Sequence, residues 1–128
     1  GVGLEPAEVI DAIGILPATK QAMCTAVAQL QPAAEYLLID GRIRLKSTPL
    51  PQQAIIRGDS LSLSIAAASI LAKVTRDRLM VALDPDYLAY GFARHKGYGT
   101  AMHLKALAKL GPTPHHRYSF APIRQKLV

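Results

Sequence analysis

Between Gly58 and Pro85 the chain contains neither glycine nor proline. Such a stretch commits itself to one long regular element, because the two residues that most readily break a helix are absent. Leu61, Ile65, Ala68, Ala72 and Leu79 form one stripe at helical spacing, and Ile70, Leu71 and Val74 widen it. The pattern predicts a helix over about residues 62–83. A helix apolar on most sides belongs in a core. Ala66-Ala67-Ala68 would let a neighbouring backbone come close. The same helix ends densely charged, in Lys73, Arg76, Asp77 and Arg78.

The rest of the chain must supply partners for that helix. With 128 residues there is room for one domain, and a chain of this size can bury roughly two thirds of its unfolded surface. Half the residues are hydrophobic, yet there are five Tyr, two Phe and no Trp, so the core is aliphatic and Ala-rich. That composition excludes a disordered chain. Residues 5–13 read as a short helix broken at Gly14, and residues 16–30 as a second, with Pro17 tolerated in its first turn. "YLLID" (36–40) and "AIIRGD" (54–59) read as two short strands. Thr100 is placed to cap a last helix, "AMHLKALAKL", that stops at Gly111-Pro112. The order of elements suggests an α/β or α+β protein. Two strands do not make a stable sheet alone, so part of the sheet is expected to lie outside this sequence.

Charge divides the chain. Residues 1–60 hold five Lys/Arg and six Asp/Glu, a net −1, whereas residues 61–128 hold ten and three, a net +7. All four histidines lie from His95 onward. The asymmetry suggests a polyanionic partner for the second half, with solubilising surface charge as the plain alternative. The single cysteine, Cys24, cannot form an internal disulfide and is read as a small buried hydrophobe. A reducing cytoplasm fits. No apolar run approaches the roughly 20 residues of a membrane span, and no signal peptide is visible.

Asp40 ends an apolar strand and precedes Gly41; a plain Asp-Gly turn would explain it. Asp59 precedes a helix, and a capping role would explain it. Together they suggest more: two neighbouring strands, each ending in an acid, would put two carboxylates at one sheet edge. Hard cations such as Mg²⁺ take such oxygens. "ARHKGYGTAMH" (93–103) gathers Arg94, His95, Lys96, Tyr98 and His103 around two glycines, a composition suited to a sugar–phosphate backbone with a ring to stack on it. A solvated Gly-rich turn is the alternative. In "PHHRYSF" (114–120) adjacent histidines point different ways and no soft ligands stand nearby, so phosphate contacts or packing are preferred to zinc for His116, Arg117 and Ser119.

"YLLIDG", "RGDSLSLSIAAASILAKVTRDRLM", "YGFARHKGYGTAMHLKAL" and "PHHRYSF" together resemble bacterial ribonuclease HII, and the resemblance covers essentially the whole chain. It implies an α/β, ribonuclease-H-like fold: a mixed sheet flanked by helices, with a helical C-terminal extension. It implies one partial domain over 1–128, with a sheet-and-helix part (1–83) and a basic substrate-binding part (84–128). The implied activity is hydrolysis of the RNA strand of RNA–DNA hybrids, and of ribonucleotides embedded in DNA, by a cytoplasmic monomer using Mn²⁺ or Mg²⁺. Asp40 and Asp59 match the third and fourth of the family's four acids, as catalytic metal ligands. Tyr98 matches a tyrosine that packs on a sugar. The resemblance assigns the duplex surface to Lys73, Arg76, Arg94, His95, Lys96, Gly97, Thr100, His116, Arg117 and Ser119. The family's Asp-Glu pair, which supplies the first two metal ligands, and its Gly-Arg-Gly segment, whose backbone reads the ribose 2′-hydroxyl, have no counterpart in these residues. The chain is therefore expected to match the C-terminal two thirds of the enzyme and to have little activity alone, the alternative being a non-catalytic duplex-binding module.

Overall fold

A computed structural model describes residues 1–124. In chain order the elements are α1 (Ala7–Ile13), α2 (Ile15–Ala28), β1 (Leu37–Asp40), β2 (Gln52–Ile55), α3 (Gly58–Leu61), α4 (Leu63–Leu83), a 3₁₀ turn (Asp84–Tyr87), α5 (Phe92–His95), α6 (Ala101–Leu110) and α7 (Ala121–Arg124). They form an α/β protein that divides into two compact units, Gly1–Leu71 with the stretch from Arg117, and Ala72–His116. The division falls inside α4.

In the first unit, Gly14 separates α1 from α2: its φ of +86° is open to glycine, and its amide closes α1 on the Ile10 carbonyl at 2.8 Å. β1 and β2 pair in parallel, from Leu37 opposite Gln52 to Asp40 opposite Ile55. Parallel strands usually need a helical crossover, yet residues 41–51 hold no helix. The Gln52 side chain takes its place, accepting from the Leu45 amide at 2.7 Å and donating to the Leu45 carbonyl at 2.9 Å. Leu45 is thereby pinned in the core with Leu37 and Ile39, against Met23, Cys24 and Val27 of α2. β1 alternates as a half-buried strand should, with Leu37 and Ile39 inward, Leu38 and Asp40 outward.

β2 lies two residues earlier than sequence alone indicates. Its end is set by Arg57, whose φ of +57° is left-handed and cannot continue a strand. Asp59 is consequently the second residue of α3, not the end of a strand.

α4 forms where expected, but it is not a core helix. Ile65 is its buried residue, whereas Ile70 is 65% and Val74 40% exposed. Periodicity records what a helix is able to bury; the described residues lay no second layer over this face.

In the second unit, Asp84 accepts from the Ala93 amide at 2.8 Å and so starts α5. Thr100 caps α6 as the sequence indicates, its Oγ1 accepting from the His103 amide at 3.2 Å. α6 ends at Gly111, φ +76°, before Pro112. Tyr90, Phe92 and Leu107 are buried, together with His95, His103 and His116.

Candidate functional site

Asp40 stands at the carboxyl end of the parallel pair, where ligands of open α/β sheets gather. The Gly41 amide donates to the Ile55 carbonyl at 2.8 Å, carrying the ladder one step past the strand. Two residues further on, the left-handed turn at Arg57 swings the Gly58 amide back onto Asp40 Oδ1 at 2.7 Å. Gly58 is buried and fits closely: a Cβ there would meet Ile65 Cδ1 at 2.5 Å and Asp40 Oδ1 at 3.2 Å, so a neighbour would have to shift. One carboxylate oxygen of Asp40 is thus held while the residue stays exposed. Asp59, next in sequence to Gly58, is exposed, and Ser60 Oγ makes a long 3.5 Å contact with its Oδ1. Asp59 thus lies in a short helix after the turn at Arg57 and not at the end of β2, so of the two acids Asp40 alone ends a strand. Two carboxylates suit a hard divalent cation, but among the described residues no group of three or more His, Cys, Asp or Glu could hold a metal ion.

The second cluster belongs to the other unit. Arg76 of α4 donates through Nη1 to the Lys96 carbonyl at 2.7 Å, and its guanidinium lies 4.8 Å over the Tyr98 ring. Gly97, φ +78°, fits where a Cβ would meet Met80 Cε at 3.1 Å and Arg76 Nη2 at 3.3 Å. Tyr98 is left half-exposed on a cationic support. Arg94 and Thr100 are also exposed. Lys96 bends its ammonium back onto the Ala93 carbonyl. Lys73 pairs with Asp77 at 2.6 Å; that hydrogen bond raises the Lys73 pKa and lowers that of Asp77.

Two of the assigned surface residues are not on the surface. His95 is 5% and His116 8% exposed, and both rings are hydrogen-bonded internally, so neither reaches a phosphate. Gly97 likewise spends its amide on His95 Nδ1 at 3.1 Å rather than offering it to a ligand. Ser119 is exposed but engaged: its Oγ and amide donate to Asp11 Oδ1 at 2.5 and 3.0 Å, and the Tyr118 amide to Oδ2 at 2.7 Å. The Ser119 hydroxyl, with these amides and the Arg117 charge, holds the Asp11 carboxyl below the usual carboxylate range. Arg117 itself lies over the Phe120 ring at 4.8 Å. Sequence reasoning missed Asp11, whose partners lie more than a hundred positions away; no local pattern announces such a bond. It also missed Gly58 and Arg57, though a glycine beside a candidate acid was the available signal.

A parallel pair with Asp40 at its carboxyl end, followed by a long helix, defines an α/β protein. A family model described as Ribonuclease HII matches residues 2–123. Curated relatives named Ribonuclease HII include that of Chloroflexus aurantiacus, 56% identical over 128 residues, which takes in 100% of this chain and 60% of that protein. That of Roseiflexus castenholzii is 57% identical over 122 residues, 95% of this chain and 54% of that protein. That of Geobacillus kaustophilus is 54% identical over 127 residues, 99% and 48% respectively. The chain belongs to the ribonuclease HII family, and it spans between 48% and 60% of the length of these relatives.

Proposed function

We propose that this chain serves an endoribonuclease that hydrolyses the RNA strand of RNA–DNA hybrids and cuts at ribonucleotides embedded in DNA. The observation that carries the reading is the Asp40 carboxylate, fixed by the Gly58 amide beside Asp59 at the carboxyl end of a parallel pair, in a chain of this family. Asp40 and Asp59 would hold Mn²⁺ or Mg²⁺. Such an ion supplies a polarised water and neutralises charge at the leaving oxygen. The protein's part is geometric: Gly58 orients one carboxylate, and α3 presents the other. Arg76 braces Tyr98 as a platform for a sugar or base, with Arg94, Thr100 and the basic face meeting phosphates. The fold we infer is the ribonuclease-H-like one with a larger, mixed sheet, working as a monomer in the cytoplasm. No helix among the described residues is long and apolar enough to cross a membrane.

Two acids out of four leave a centre short of ligands, and ligand geometry governs both affinity and rate. The 128 residues alone are therefore expected to cleave poorly. The test is cleavage of a labelled DNA duplex containing one ribonucleotide, with Mn²⁺, against Asp40→Asn. Cutting beside the ribonucleotide that the substitution abolishes supports the assignment of Asp40; equal cutting by both chains removes it. The second reading, a duplex-binding module without catalysis, is favoured by the net +7 of residues 61–128. It requires binding that weakens steeply with salt, no cleavage, and no effect of Asp40→Asn.

A further inference from the structure

Three buried histidines of the second unit form one train, two joined by a hydrogen bond and the third stacked on one of them, and backbone groups assign every proton in it. The Thr113 amide donates to His116 Nδ1 at 3.0 Å, joined there by Thr113 Oγ1 at 2.9 Å, so that nitrogen carries no hydrogen. Neutral His116 then bears its proton on Nε2, which faces His103 Nε2 at 3.0 Å. His103 Nε2 must accept, leaving the His103 proton on Nδ1, where it donates to the Tyr98 carbonyl at 3.0 Å. A carbonyl can only accept, so the same tautomer follows independently from this end. His95 stacks on His103 at 4.4 Å between centroids and 8° between planes. It accepts from the Gly97 amide through Nδ1 and donates through Nε2 to the Tyr90 carbonyl at 2.8 Å. The Tyr98 carbonyl also takes the Thr100 amide at 2.8 Å.

We propose that His103 is a positioning residue, directed by His116, whose Nδ1–H holds the Tyr98 carbonyl and so sets the loop that presents Tyr98 to nucleic acid. The inference rests on the reading of residues 94–100 as a duplex surface. A fourth proton, beyond the one that each neutral ring carries, has no place to sit on the train. It would meet the Thr113 amide on His116, the His116 Nε2–H on His103, or the Gly97 amide on His95. Burial pushes His103 and His116 below the usual histidine range, and the neighbouring histidines act in the same direction. The groups facing the train are Tyr90 and Phe92, with His115 acting on His116 from beside Tyr87. Of the charges on the packed elements, Asp84 is spent on the Ala93 amide and Lys96 on the Ala93 carbonyl, while Arg94 and Lys105 are exposed. A folded-state pKa below the unfolded value of about 6.5 means that the train is whole at neutral pH, that its contribution to stability declines as pH falls below about 6.5, and that the folded train itself takes a proton only at the lower, folded-state pKa. Acid should therefore weaken duplex binding, opposite to the gain that surface histidines would give.

The test uses the full chain. Long-range ¹H–¹⁵N spectra at neutral pH should show His103 as the Nδ1–H tautomer and His95 and His116 as Nε2–H; His103 as Nε2–H overturns the proposal. Binding of a DNA duplex with one ribonucleotide, without metal, is then followed by anisotropy from pH 7.5 to 5. His103→Ala should weaken it about tenfold, the equivalent of one lost buried hydrogen bond. His103→Asn, which places an amide donor near the Nδ1 position, should restore neutral-pH binding and reduce the acid loss. No rescue by Asn, or an acid loss unchanged in His103→Asn, overturns the proposal. A chain that binds no duplex at any pH, yet shows the Nδ1–H tautomer and Gly97 and Tyr98 amides moving with the His103 titration, supports the positioning and overturns the duplex surface.

Discussion

A methyl group at residue 58 would lie 2.5 Å from Ile65 Cδ1 and 3.4 Å from Asp40 Cα, in a position already buried. Ile65 is itself buried, so relief must come from moving the turn, and with it the amide that holds Asp40. Gly58→Ala should cost about 1–3 kcal/mol as an overpacked site, read by urea denaturation, and should loosen Asp40 enough to weaken Mn²⁺ binding in a calorimetric titration. A variant as stable as the parent would show that the turn is slack and that Asp40 is not held by it. Asp40 was legible as an acid at a strand end, because type and spacing are written in the sequence, whereas Asp59 was not, since the left-handed turn at Arg57 carries it into α3. The hold on Asp40 was not, since it depends on which way one amide points. His95 and His116 were misplaced for a related reason: imidazole serves a surface and a core equally well, and only burial decides.

Helices were legible where a terminus carries its own chemistry. Thr100 and Gly111 mark both ends of α6, and the structure uses both. Thr100→Ala should cost about 1 kcal/mol through loss of the cap, while Thr100→Ser should keep most of it; equal losses in both would mean that the hydroxyl is not the capping group. The strands were less legible, because β2 ends at a left-handed arginine that no propensity foretells. The link between α1 and the segment before α7 was invisible. There, Asp11 binds two amides and a hydroxyl from residues 118–119. Its pKa is lowered in the folded chain, so its contribution is present above the unfolded value near 3.8 and is lost as pH falls through the folded one. Asp11→Asn should lower the melting temperature at pH 7 and flatten the acid side of its pH dependence below about pH 4. An acid limb identical to the parent's would place the loss elsewhere.

Many large apolar side chains of the described residues stand open to solvent, and they gather on particular faces. Ile70, Leu71, Val74, Leu79 and Val81 of α4 are all exposed, as are Ile15 and Leu16 of α2. The apolar count of the sequence was legible as the capacity for a core, but the size of the core realised was not, because cover comes from whatever packs against a face. The difference can be measured on α4. In a buried helix, Ile70→Gln with Val74→Gln would remove two packed side chains and strand two amides, at several kcal/mol. On an exposed face each should change stability by no more than about 0.5 kcal/mol. Binding of an environment-sensitive hydrophobic dye to the native chain should fall in the double variant, since the apolar patch it reports has been made polar. Denaturation midpoint and dye fluorescence, read on the same samples, separate the cases. A small stability change with less dye bound means an open face; a large loss of stability means that α4 is covered and that this account of the helix is wrong.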